Sequence, residues 1–385
     1  MFDKFFIGNS YFVDWDYVMT IPEFQKLKEC EQNPKWHSEG NALEHTKQCV
    51  QSAYYHIGYE RFKTLDKRTA IMAVLLHDIG KATTTNFSNG SWHSYGHEFE
   101  SEKIARRILW NENIYFREVV CACAHYHMMV LRLAESKHVI EEMIKISFGE
   151  YVYWNYLLFV KLCDIFGSIP DDNKQTVKDL TKMDTLISLA ESLHIFNNPF
   201  FPSHKIAEII AKNPGNKINW DLEDDISKKS KVTVLIGLPG AGKNTYYDKY
   251  IDKENTVMLS RDDIRTMLGY CGENEKVVLS PDKENEVSRI FDEQFLKALS
   301  ERKDVCINNI NLKKAYRDKY KELAKGYNVM WEYVYIEAHS IEDNIKRRPT
   351  FNEADFRGPL IEKFDFPRVD EYDVFKIFKQ PNLEK

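Results

Sequence analysis

Residues 232–250 read VTVLIGLPGAGKNTYYDKY, and the whole organisation of the chain follows from how this stretch is taken. VTVLI is a short, continuous apolar run rich in β-branched residues, which suits a strand buried on both faces of a parallel sheet. GLPGAGKN then fits seven of the eight positions of the phosphate-binding loop G-x-x-x-x-G-K-[ST], and a helical segment follows. Strand, glycine-rich turn and helix start are the context this loop requires. Gly237, Gly240, Ala241 and Gly242 would let the backbone amides wrap close to phosphate groups, and Lys243 would add a full positive charge. The eighth position is Asn244 where a hydroxyl is usual. Its amide carbonyl is a neutral substitute ligand for Mg²⁺ or a Mg²⁺-bound water. Thr245 carries a hydroxyl but on a different helix face. Phosphate binding survives this exchange, whereas the metal contact is weakened.

Outward from the loop, TVMLS (256–260), VCIN (305–308) and MWEYVYIE (330–337) are further strand candidates, each separated by a helical segment. This alternation predicts a doubly wound α/β domain over residues 230–385. Upstream, residues 36 to about 195 read almost entirely as helix, which predicts an all-α domain over 1–200. Between them, residues 201–229 carry Pro, a Pro-Gly turn and mixed charge, the composition of a linker. At 385 residues, two domains are expected on length alone.

Composition is that of a soluble globular protein, with 43% apolar and 29% charged residues. No apolar run reaches the ~20 residues of a membrane span, and the apolar start is interrupted by acidic residues, unlike a signal peptide. Seven cysteines without a C-x-x-C pair point to a reducing cytoplasm. Cys121 and Cys123 read as core thiols in preference to a metal pair. A net charge of −6 argues against a protein that coats duplex nucleic acid, though not against one that grips a strand end locally.

LSRDDIR (259–265) sets Asp262 and Asp263 just past a strand's carboxyl end, where ligands gather in open α/β sheets. Asp262 there suits a general base for an accepting hydroxyl, and Arg265 suits an acceptor phosphate. Capping carboxylates at a solvated helix start account for the same spacing equally well. EDNIKRRP (342–349) similarly reads either as a lid carrying Arg347 and Arg348 or as a surface basic pair.

The run GLPGAGK, then RDDIR, then NIKRR resembles the kinase domain of phage-type polynucleotide 5′-kinases over roughly residues 230–370. The resemblance implies ATP or another NTP as donor with Mg²⁺, Lys243 on the donor phosphates, Asp262 as base, Arg265 on the phosphate beside the accepting 5′-hydroxyl, and Arg347 as lid arginine. NINLKKAYR (309–317) is similar to a further segment of that family and brings in Asn311 and Arg317. Asp343 departs from the pattern, standing where a first lid arginine is often found.

A second chemistry is written in LLHDIGKA (75–82). Asp78 at the end of an apolar helix needs a cation or a metal, because an unpaired buried carboxylate is costly. Asp164, inside LLFVKLCDIFG (157–167), needs one for the same reason, and Lys161 would serve. His45, His77, Asp78 and Asp164 together match the pattern of the HD phosphohydrolase superfamily, in which such residues bind a divalent metal. His97 and Glu98 (YGHEFES, 95–101) and His127 or His125 (AHYHMM, 124–129) extend the match to relatives that hold a second metal, and aligning YHMM favours His127. His37, His56, His93 and His138 have no motif around them and are expected on the surface. Imidazole and carboxylate ligands suit Mn, Fe, Co, Ni or Zn. Lys81 would neutralise charge developing on a phosphoryl group.

An HD phosphohydrolase upstream of a 5′-kinase resembles the HD-Pnk family of nucleic-acid end-healing enzymes. That resemblance implies ATP-dependent phosphorylation of 5′-hydroxyl RNA or DNA ends, metal-dependent removal of 2′,3′-cyclic, 2′- or 3′-phosphates, and a ligase as partner. Two other readings compete: a metabolic enzyme joining an HD nucleotidase to a small-molecule kinase, and a regulatory protein whose Asn244 loop binds nucleotide without turnover.

Overall fold

The computed structural model describes residues 2–147, 151–170, 173–197, 229–271, 278–337, 340–368 and 371–379. The chain divides into two compact units, Met1–Leu222 and Glu223–Lys385. All of the expected linker except Lys229 lies outside the described residues.

The first unit is helical. Helix α1 (Ala42–His56) starts where the Asn41 side chain accepts from the Leu43 and Glu44 amides, and α2 (Lys67–Leu76) starts where Asp66 accepts from Thr69. Each cap satisfies amides that the first helical turn leaves without partners. Residues 69–76 of α2 are all buried, so this helix runs through the core rather than along its surface. Helices α1, α4 (Ile114–Tyr126) and α5 (Trp154–Gly167) pack against it, and α3 (His97–Ile108) packs on α4. The expectation of an all-α domain holds, with a short exception among the described residues. An antiparallel hairpin, β1 (Asn86–Ser88) and β2 (Ser91–His93), interrupts it, because Asn89 and Gly90 both take positive φ and close a two-residue turn. Cys121 and Cys123 are buried core thiols.

The second unit holds a five-stranded parallel sheet. Its strands are β3 (Ser230–Ile236), β4 (Thr256–Leu259), β5 (Asp304–Ile307), β6 (Val329–Glu337) and β7 (Val374–Lys379), in the order β4-β5-β3-β6-β7. Strand β3 lies at the centre, with Val232, Val234, Leu235 and Ile236 fully buried, as a strand with neighbours on both edges and helices on both faces must be. The edge strand β7 was not legible in the sequence, since VFKIFK is only half-buried and interrupted by lysine. The glycine-rich loop leaves β3 and enters helix α6 (Lys243–Tyr250). Helices α7 (Arg261–Met267) and α8 (Ile341–Arg347) begin after β4 and β6, each capped by a serine, Ser260 and Ser340. The carboxyl ends of the strands therefore gather the loop, Asp262 and Arg347 on one side of the sheet.

Candidate metal centre and phosphate-binding loop

Four imidazoles converge in the helical unit because four elements deliver them. His45 comes from the first turn of α1, His77 follows α2, His97 opens α3 and His127 follows α4. Gly80 permits the approach of α3: a Cβ there would stand 2.2 Å from the His97 carbonyl oxygen and 2.5 Å from the Ser101 nitrogen. With no Cβ, the start of α3 lies against the residues that follow Asp78.

All four rings are held from behind through Nδ1. His77 Nδ1 donates to the Val74 carbonyl at 2.7 Å, His97 to Ser94 at 2.7 Å and His127 to Ala124 at 2.7 Å. His45 Nδ1 lies 3.0 Å from the Glu39 carboxylate. A ring that donates through Nδ1 in its neutral form turns the Nε2 lone pair inward, the arrangement typical of metal-binding histidines. Burial pushes His127 down to about 4, which keeps it neutral.

The inward atoms form two adjoining groups. His45 Nε2 is 3.1 Å from Asp164 Oδ1 and 3.4 Å from Asp78 Oδ2, and His77 Nε2 is 3.4 Å from Asp78 Oδ2. On the other side, His97 and His127 place Nε2 at 3.1 and 3.4 Å from Asp78 Oδ1. Asp78 thus offers one oxygen to each group. Burial would raise both carboxyls, but Lys81 beside Asp78 and Lys161 beside Asp164, each at 2.6 Å, hold them well below the usual carboxylate range.

Two observations show that hydrogen bonding alone does not satisfy this cluster. His77 Nε2 is buried with no hydrogen-bond partner among the described residues. His97 and His127 face each other Nε2 to Nε2 at 3.3 Å while each donates through Nδ1 to a backbone carbonyl, so in the neutral form of both rings two lone pairs oppose one another. A divalent cation removes both problems, and the imidazole–carboxylate donor set suits one.

Of the other sequence candidates, His125 turns away to Glu102 at 2.5 Å. Glu98 approaches only the rear nitrogen of His97, at 3.7 Å. Lys81 reaches Asp78 and also donates to Gln32 Oε1 at 2.7 Å. Of the four histidines expected on the surface, His138 is exposed, His37 and His93 are partly covered and His56 is not there. His56 is buried, its ring stacked on Phe166, and His37 is partly covered and bonded to Glu39 at 2.7 Å. The sequence reading missed Glu39 and also Cys49, whose Sγ lies 3.4 Å from His45 Nε2. Cys49 stands four residues after His45 on one helix, a spacing that would have flagged it.

In the second unit, Lys243 Nζ donates to the carbonyls of Gly237 and Leu238 at 2.9 and 3.0 Å, curled over its own loop. Burial and the nearby Arg348 cation lower its pKa to about 8. Gly240 has φ +74°, and a Cβ there would lie 2.5 Å from the Asn344 carbonyl oxygen. Asn344 also donates to Pro239 at 2.8 Å, so the start of α8 braces the loop. Asn244 is exposed, and its Oδ1 accepts from Asn308 Nδ2 at 2.8 Å.

Asp262 is exposed and paired with Arg265 at 2.7 Å, with Arg348 at 3.9 Å. Arg265 also pairs with Glu284 at 2.9 Å, while its Nε has no partner among the described residues. Arg347 Nη1 reaches the Gly240 carbonyl at 3.5 Å. Two further candidates of this unit serve the framework. Arg317 is fully buried, paired with Glu371 at 2.7 Å and donating to the Asn311, Leu312 and Asp365 carbonyls. Asn311, buried with φ +51°, donates to Leu235 in β3. Neither side chain is available to a ligand.

Residues 42–195 match the HD domain family, and residues 232–359 match the AAA domain family. The chain therefore carries an HD domain followed by a P-loop domain, the order that the HD-Pnk resemblance implies. No curated protein sequence matches the chain. It is similar to a chain of the Pnkp1/Rnl/Hen1 complex at 22% identity, covering 32% of this chain and 41% of that one, with a TM-score of 0.28. It is also similar to a chain of the Pnkp1/Rnl/Hen1 RNA repair complex at 22% identity, covering 37% and 48%, with a TM-score of 0.29. This chain thus spans less than half the length of either. No helix among the described residues is long and apolar enough to cross a membrane.

Proposed function

We propose that the chain is a bifunctional enzyme that heals broken nucleic-acid ends. Its HD domain removes a 2′,3′-cyclic, 2′- or 3′-phosphate, and its P-loop domain phosphorylates a 5′-hydroxyl with ATP or another NTP. The observation that carries the hydrolytic half is the set of inward Nε2 atoms around Asp78, buried side chains grouped as a cation would need. His45, His77, Asp78 and Asp164 would hold one ion, with Asp78, His97 and His127 able to hold a second. Such ions would polarise the phosphoryl oxygens and lower the pKa of an attacking water. The chain's own part is to fix the imidazoles from behind and to keep Asp78 and Asp164 ionised through Lys81 and Lys161. Lys81 places its charge beside the phosphoryl group as the bond to the strand's ribose oxygen breaks.

In the kinase half, the loop amides and Lys243 bind the donor phosphates. The 5′-hydroxyl oxygen attacks the γ-phosphorus while Asp262 takes its proton and the bond to the departing diphosphate breaks. Arg265 and Arg347 supply charge to the acceptor and donor phosphates. Both reactions on one strand make sense because many breaks leave a 2′,3′-cyclic phosphate and a 5′-hydroxyl, whereas sealing by a ligase needs the opposite pattern. The test offers the chain ATP and Mg²⁺ with a 5′-hydroxyl oligonucleotide or a free nucleoside. In parallel, an oligonucleotide or a mononucleotide ending in 2′,3′-cyclic phosphate is supplied with Mn²⁺, Co²⁺, Ni²⁺ or Zn²⁺. Preference for both oligonucleotides is expected. Preference for nucleoside and mononucleotide would support the metabolic reading instead, and nucleotide binding without transfer would support the regulatory one.

A further inference from the structure

Large aromatic side chains are exposed on the two segments that hold the His45 and His97 rings from behind. Tyr95 is 78% exposed, Phe87 60% and Trp36 43%. Isolated exposed aromatics are ordinary. These are not scattered. The hairpin β1–β2 pairs Phe87 with Trp92 across its strands, ring centroids 5.1 Å apart. Just beyond β2, His93 and Tyr95 stack almost parallel, 4.9 Å apart with 11° between their planes, which leaves the outer tyrosine face open. Between them, Ser94 supplies the carbonyl that holds His97 Nδ1, and His97 is two residues beyond Tyr95.

The loop at 33–39 is built in the same way. Trp36 lies under the Lys35 ammonium at 4.8 Å, and Glu39, three residues on, holds His45 Nδ1. Asn33 Nδ2 donates to Ser91 Oγ at 3.0 Å and ties this loop to the hairpin. Each segment thus exposes an aromatic ring and, within three residues, holds an imidazole of the metal centre.

From this juxtaposition we infer that the hairpin and the 33–39 loop form a base-stacking platform, which seats the unpaired terminal nucleotides of a single strand while its end phosphate enters the metal centre. The inference rests on the end-healing reading and names how that site selects a polynucleotide over a small phosphoester. Stacking is the interaction this chain can offer. A net charge of −6 provides little general attraction for a phosphate backbone, whereas every base has a π-face and stacks without regard to sequence. An end-processing enzyme needs that tolerance. Lys35, over Trp36, adds a cation beside the stacked base where a backbone phosphate would pass.

The experiment uses the full, metal-loaded chain and measures kcat/KM for phosphate release from a 3′-phosphorylated single-stranded hexanucleotide and from p-nitrophenyl phosphate. The ratio of the two is compared among wild type, Tyr95→Ala, Trp36→Ala, Phe87→Ala and Tyr95→Phe. The ratio should fall about fivefold or more in each alanine variant, mainly through KM of the hexanucleotide, and should hold in Tyr95→Phe, which keeps the ring. Metal content is measured for every variant. Should Tyr95→Ala lose metal by displacing His97, Trp36→Ala and Phe87→Ala decide the outcome. An unaltered ratio in the alanine variants overturns the platform and leaves the end-healing reading standing, as does an equal fall in Tyr95→Phe. A wild-type chain that hydrolyses p-nitrophenyl phosphate but not the hexanucleotide overturns the end-healing reading itself.

Discussion

Nucleotide binding by the P-loop domain should weaken above about pH 8, and the cause is a single ammonium group. Lys243 is partly buried in its own loop and stands near Arg348, and together these lower its pKa to about 8. The loop contributes neutral amides, so Lys243 carries the full charge that a donor phosphate meets there. Only the protonated lysine provides it. A bound phosphate favours that form and raises the pKa in the complex, so affinity is greatest below the free-protein value and falls as pH rises through it. Each pH unit above about 8 costs a factor approaching ten, ~1.4 kcal/mol, so binding at pH 9 should be about tenfold weaker than at pH 7. The donor's phosphates are already ionised across this range and add no opposing trend. Calorimetric titration with a non-hydrolysable ATP analogue at fixed ionic strength, from pH 7 to pH 9.5, reads this directly. Arg348→Ala removes the like charge and should move the break to higher pH. Affinity that stays level through pH 9.5 in the wild-type chain would refute the assignment of Lys243 as the charge that binds phosphate.

Three further outcomes are expected. His77→Ala or Asp78→Ala should abolish 3′-end phosphate removal and reduce the transition metal found by elemental analysis, with 5′ phosphorylation kept. Lys243→Ala should do the reverse, and loss of both activities together in a folded chain would contradict separate sites. At the loop, Asn244→Ser should lower the Mg²⁺ concentration needed for half-maximal kinase rate, whereas Asn244→Ala should raise it about fivefold, the worth of one hydrogen bond near 1 kcal/mol. Asn308→Ala should follow Asn244→Ala, because its amide fixes the Asn244 carbonyl, and identical Mg²⁺ titrations in all the variants would exclude position 244 from metal binding. Arg317→Ala should destabilise the P-loop domain by about 3–5 kcal/mol in chemical denaturation, because it removes the close partner of the buried Glu371 carboxylate and leaves Lys314 at 3.9 Å as its remaining cation among the described residues.

What could be read in advance was local. The run VTVLI followed by the glycine loop identifies its strand, turn and helix, because burial on both faces and close phosphate approach each demand particular residue types at adjacent positions. Asp78 and Asp164 were legible as groups in need of a cation, since a carboxylate inside an apolar run has no inexpensive alternative. His127 stood ahead of His125 only through its neighbours in sequence. In three dimensions the two part because His127 follows the last turn of α4 and bonds back to Ala124, while His125 faces Glu102.

The hairpin was missed because three-residue strands carry almost no periodic signal, and β7 because an edge strand need not be apolar. Arg317 shows the limit most plainly. Its place beside a site motif says nothing about direction, and the side chain turns inward to Glu371 and three backbone carbonyls. Sequence alone determined the two domains, the phosphate loop and the residue types able to hold metal, since these depend on composition and spacing along the chain. Tertiary structure alone decided that Asp78 offers one oxygen to each imidazole group and that Glu39 and Ser94 hold two of the rings. It also decided that the aromatics Trp36 and Tyr95, close to both in sequence, are exposed. These are matters of side-chain direction, and direction is set by packing.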